Sequence, residues 1–114
     1  CYTVKIAKFG GIQPTLDFCA WAHERGVSVW MGGMFDTGIS KRMHAAFQTL
    51  PGIDLPGDIS DSSCYFRADC ALPPLMLHAG ELTLNESGYE AGLGCVLEQE
   101  YLKSIETEVI SVAK

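Results

Sequence analysis

The chain has 114 residues, a hydrophobic share of 47%, and 14 acidic against 8 basic side chains, for a net charge of -6. With a pI near 4.8 and its Lys and Arg scattered along the sequence, it lacks the clustered cations that a phosphate backbone requires, which argues against nucleic-acid binding. No apolar run approaches the roughly 20 residues needed to cross a bilayer, and no leader pattern precedes the first element, so a cytoplasmic protein is expected.

Cys1 to Lys5 alternates weakly, is rich in strand formers, and runs on to Gly10-Gly11, which predicts a strand ending in a loop. From Pro14, apolar residues at Leu16, Cys19 and Ala20, with Ile12 before them and Phe18 on the flank, predict an amphipathic helix of about three turns, stopped at Arg25-Gly26. Val27 to Met31 is a short apolar run ended by Gly32-Gly33 and reads as a strand buried on both faces. Ile39, Met43, Phe47 and Leu50 repeat at helical spacing, with Thr37 or Ser40 as cap and Pro51-Gly52 as stop. Ile53-Asp54-Leu55 is expected as a third strand, closed by Pro56-Gly57.

The resulting βαβαβ order predicts parallel strands of an α/β fold, either a doubly wound sheet or part of a (β/α)₈ barrel, because three strands cannot close a barrel. After residue 70 the pattern changes. Leu75-Met76-Leu77 and Glu81 to Leu84 predict a hairpin around Ala79-Gly80. Gly88, Gly92 and Gly94 predict a loop, and Leu97 to Glu108 a short acidic helix ahead of Val109 to Val112. Residues 1–70 and 71–114 are therefore taken as two regions. A mean hydropathy of +0.13 is high for so short a chain and implies apolar surface that meets something outside it. Opening on Cys1 inside a strand pattern, the sequence reads as part of a longer polypeptide. Its five cysteines form an odd set without a C-x-x-C pair, so reduced thiols are expected, with neither a disulfide nor zinc.

In a parallel βα protein the active site lies at the C-terminal ends of the strands, which singles out Lys5, the Gly32-Gly33-Met34 turn, and Asp58 with Ser60. A lysine at the end of an inward-facing strand suits proton transfer, although spacing alone equally allows an exposed edge lysine. Gly32-Gly33 either lets backbone amides approach a ligand or simply makes a tight turn. Asp36 and Asp58 are a weak pair for a cation, since solvated loop caps are commoner. His23, His44 and His78 share no spacing with one another or with a nucleophile and read as surface or helix-flank residues. The glycines from Gly88 to Gly94 lack the lysine and the strand-to-helix context of a phosphate loop.

Three stretches, Lys5 to Gly11, Trp30 to Ile39 and Leu55 to Ser60, followed by Gly92-Leu93-Gly94, resemble the o-succinylbenzoate synthase and N-acylamino acid racemase group of the enolase superfamily over nearly the whole chain. The resemblance implies the sixth, seventh and eighth strands of a (β/α)₈ barrel, with a tail (71–114) that returns to a capping domain absent from this chain. It implies Lys5 as the catalytic lysine of the sixth strand. Gly32, Gly33, Met34 and Phe35 would border the acyl side of a small carboxylate substrate, with Asp58 and Ser60 near it. It implies Mg²⁺ held by acids upstream, with no metal ligand in this chain. The implied reaction is dehydration of a cyclohexadiene carboxylate in menaquinone biosynthesis, or else racemisation of an N-acylamino acid. The segment alone, without the N-terminal portion of its own polypeptide, would be inactive, and a non-catalytic fragment is the remaining alternative. A homo-oligomer is left open. Asp36 departs from the group, where Glu is usual.

Overall fold

The structure, a computed structural model, describes residues 1–84 and 92–107. Strand β1, Tyr2–Val4, pairs in parallel with β2, Val29–Met31, with Tyr2 opposite Val29 and Val4 opposite Met31. Between them runs α1, Ile12–Glu24. Pro14 falls within its first turn, where the missing N–H breaks no helical bond. The buried stripe of α1 is Thr15, Cys19 and Ala22, whereas Ile12 and Ala20 are exposed. Thr15 tolerates burial because its hydroxyl donates to the Gly11 carbonyl at 2.6 Å, so a polar residue occupies the inward position. At the far end Gly26, at φ 62°, turns the chain back and Val27 N–H bonds the Ala22 carbonyl.

Helix α2, Gly38–Gln48, follows β2. Thr37 stands at its N-cap without a side-chain bond. The capping oxygen comes instead from Asp69, which accepts from Gly38 N–H at 3.0 Å. A Cβ at residue 38 would collide with that carboxylate, so glycine is required there. The helix buries Phe47 and Ala45, but also Lys41, Arg42 and His44. The surface reading of His44 is thus corrected: it is 4% exposed.

The third strand does not form. Ile53 is buried in the core, yet the Gln48 side-chain amide donates to the carbonyls of Ile53 (3.3 Å) and Leu55 (2.7 Å), acceptors that a ladder would use. One backbone link, Asp58 N–H to Met31 carbonyl at 2.8 Å, is what ties this stretch to the end of β2. The ordered alternation is therefore βαβα.

Beyond it, Ser62–Cys64 makes a 3₁₀ turn, and β3, Ala71–Leu72, pairs antiparallel with β4, Val96–Leu97. Helix α3, Gln99–Ile105, starts at Glu98, whose carboxylate accepts from Glu100 N–H at 3.0 Å. It is shorter than the sequence predicts. The expected hairpin reduces to a single bridge between His78 and Glu81 around a turn at Ala79-Gly80. Gly88, Glu108 and Val109 to Val112 lie outside the described residues.

The core gathers Val4, Ile6, Cys19, Ala22, Val29, Met31, Phe47 and Ile53 between the two strands and the two long helices. The apolar surface is incompletely covered. The accessible area is 7774 Å², against about 6,100 Å² for a compact monomer of this mass. Tyr2, Ile12 and Trp21 are among the exposed apolar side chains, and Tyr2, Phe18 and Trp21 form a ring-to-ring series along the β1 and α1 side. Among the described residues β1 has a strand partner on one edge only.

Candidate active site

Lys5 leaves the end of β1 half-buried, and its ammonium donates to the Gly33 carbonyl at 2.7 Å, across the open ends of the two strands. Gly32 makes room for this. A Cβ there would lie 2.6 Å from Thr3 Cγ2 and 3.0 Å from Lys5 Cε, so any side chain would displace the lysine stem. The Gly32 amide itself donates to the Val4 carbonyl at 2.8 Å and is committed to the strand pair. Gly33 packs so closely on the Asp58 carbonyl that a Cβ there would overlap it. The glycine pair thus serves close backbone packing behind Lys5.

In front of Lys5 opens a cavity of about 390 Å³, within the range of small-ligand sites, lined among others by Gly11, Met34, Asp36, Ser40 and His44. Met34 (45% exposed) stands at its rim, and Phe35 (81% exposed) follows it on the turn. The Asp36 carboxylate accepts from Met34 N–H at 2.7 Å through Oδ2 and from the Ser40 hydroxyl at 2.9 Å through Oδ1. His44 Nδ1 lies 3.7 Å from Oδ2. Burial pushes the imidazole pKa below its ordinary value; the nearby Asp36 charge pulls it up and the Lys5 ammonium pushes it down.

Phe35 and Ser60 belong to a neighbouring cluster. Buried Lys41 donates to Ser60 Oγ at 3.3 Å and to the Asp61 carbonyl at 2.8 Å, and its ammonium sits 5.0 Å from the centre of the Tyr65 ring. Tyr65 in turn meets Phe35 edge-on at 5.1 Å. Of the residues singled out from sequence, then, Lys5 and Met34 line the cavity, while Gly32, Gly33 and the Asp58 backbone pack behind them. Phe35 and Ser60 lie in the adjoining cluster. Sequence reasoning missed His44, Lys41 and Tyr65. One signal was present: Asp36, Ser40 and His44 recur every four residues, the spacing of one helix face.

Among the described residues no three His, Cys, Asp or Glu side chains converge as a metal site. All five cysteines are free thiols, and among the described residues no helix is long and apolar enough to cross a membrane.

Two parallel strands joined by a helix, with a lysine and a cavity at their C-terminal ends, define a βαβ unit of a parallel α/β fold. No family model matches the chain. An o-succinylbenzoate synthase from Enterococcus faecalis is 34% identical over 99 residues, covering 87% of this chain and 26% of that protein. An N-succinylamino acid racemase from Thermus thermophilus is 31% identical over 104 residues, covering 91% and 27%. A solved structure of an enolase superfamily member from Listeria innocua superposes with a TM-score of 0.77 at 29% identity, over 90% of this chain and 27% of its own. The chain belongs to the enolase superfamily, with the o-succinylbenzoate synthases and N-succinylamino acid racemases as its relatives there. It spans about a quarter of the length of the curated relatives it matches.

Proposed function

We propose that this chain is the C-terminal part of the (β/α)₈ barrel of a metal-dependent o-succinylbenzoate synthase, a lyase that dehydrates a cyclohexadiene carboxylate on the way to menaquinone. In this reading β1 and β2 are the sixth and seventh barrel strands, and the stretch around Asp58 stands in the eighth position. The tail over 71–114 returns to a capping domain. The observation that carries it is the Lys5 ammonium, held on the Gly33 carbonyl at 2.7 Å and facing a cavity of about 390 Å³.

The chemistry follows from charge. A proton next to a carboxylate leaves only if positive charge offsets the enediolate that forms, and a fixed ammonium beside the reacting carbon supplies that charge. Lys5 Nζ is tethered through one of its three hydrogens, leaving two to face the substrate. Met34 and Phe35 border the acyl side, with Asp58 and Ser60 behind. Magnesium, when bound in this superfamily, supplies further positive charge. In this reading its ligands are carried by other parts of a longer protein. The partners are thus the carboxylate substrate and the rest of the same polypeptide, in the cytoplasm, and the 114 residues alone are inactive.

The Thermus relative favours a second reading, racemisation of N-succinylamino acids with Lys5 as acid and base. Both are tested on the full-length protein with magnesium, by following loss of the cyclohexadiene substrate and, separately, racemisation of an N-succinylamino acid. Lys5→Ala is expected to lower kcat by about 10²–10⁴-fold. Full activity in that variant overturns the assignment of Lys5, and turnover of the amino acid alone selects the racemase.

A further inference from the structure

The turn between β2 and α2 carries two exposed apolar residues, Met34 and Phe35. Among the described residues no side chain other than Asp36 bonds the backbone of either. The Asp36 carboxylate reaches back to Met34 N–H with one oxygen and forward to the Ser40 hydroxyl with the other, so it ties the turn to the first turn of α2. The carboxylate is only 18% exposed and leans on the ring of His44, itself 5% exposed at the side chain. At 3.7 Å the imidazole is too distant for a hydrogen bond and acts as a packed wall that fixes the carboxylate rotamer.

Capping of α2 does not explain this arrangement, because Asp69 already accepts the Gly38 N–H. What Asp36 holds is the turn, and Met34 and Asp36 line the same cavity as Lys5. We infer that Asp36 is a positioning residue, backed by His44, that fixes the Met34-Phe35 turn and thereby sets how tightly the site takes the acyl group of its substrate. This inference rests on the functional reading above, in which that turn borders the acyl side.

The test uses the full-length protein with magnesium, and the substrate is whichever of the two the unaltered enzyme turns over. Asp36→Ala is expected to raise KM at least about tenfold while kcat changes less than about threefold, since the loss is in binding geometry and not in the Lys5 step. Asp36→Asn keeps an acceptor for the Met34 N–H and is expected to recover most of the lost affinity. Hydrogen exchange at the Met34 amide, read independently of turnover, is expected to speed up at least about tenfold in Asp36→Ala. An unchanged KM, or a parallel fall of kcat and kcat/KM with Asn no better than Ala, overturns the role in acyl recognition. Unchanged exchange at Met34 overturns the positioning role whether or not the enzyme is active. If the unaltered protein turns over neither substrate, the functional reading falls, and the acyl assignment falls with it.

Discussion

Gly32 decides where the Lys5 ammonium can sit. With Thr3 Cγ2 and Lys5 Cε at 2.6 and 3.0 Å from the position of a missing Cβ, Gly32→Ala must push the lysine stem aside. The expected cost is about 1–3 kcal/mol of stability together with a loss of activity, checked by chemical denaturation and by kcat. His44 gives a pH signature. Its folded pKa lies below the ordinary 6.5, so the unfolded chain takes up the proton first. Stability is therefore flat above pH 6.5, falls as pH drops towards the depressed folded value, and levels below it. His44→Gln is expected to remove that slope from a thermal-unfolding series. Lys5 could be singled out in the sequence because it ends a strand-like run, where a parallel βα protein places its site. His44 could not, because it follows Lys41 and Arg42 by two or three positions, and such a run reads as a solvated helix face. All three are buried in the structure.

Helix α2 depends on an acid outside it. Burial raises the Asp69 pKa, but hydrogen bonds from the Ser62 hydroxyl and the Gly38, Ala71 and Cys70 amides outweigh it and hold the carboxyl below 3.8. This depressed acid contributes stability that is full above pH 3.8 and is lost as pH falls through its folded value. Asp69→Ala is expected to destabilise by about 2 kcal/mol, through loss of the cap and of partners for buried donors, with urea unfolding as the measure. The existence of α1, β2 and α2 could be read from apolar spacing and glycine stops. The inward face of α1 could not, because Thr15 hides its polarity on the Gly11 carbonyl. Nor could the missing third strand be foreseen, since Ile53 has the right side chain and Gln48 takes its carbonyl from five residues away. The pairing of Ala71-Leu72 with Val96-Leu97 joins segments of two residues, too short for any periodicity.

At the scale of the whole molecule, the surface is larger than its mass warrants. The radius of gyration is 15.5 Å, against about 13 Å for a compact domain of this length. Tyr2, Ile12 and Trp21 are among its exposed apolar side chains. The 114-residue chain alone is expected to associate beyond its 12.4 kDa monomer and to bind an apolar dye, as sedimentation and dye fluorescence would register. A monodisperse, dye-silent monomer would contradict it. The mean hydropathy had flagged this excess, though not which face carries it.

The first turns of α2 reach out at three places: Gly38 to Asp69, Lys41 to Asp61, and Arg42 to the Pro73 carbonyl at 2.8 Å. Between the first and second of these moorings, residues 64–68 are mostly exposed. Slack introduced at 67–68, past the Tyr65 ring that rests against Lys41 and Phe35, leaves every mooring in place. That stretch is accordingly where an epitope tag or a fluorophore-bearing insert can be spliced in, whereas the same insert at 69–73 would tear the segment from its helix.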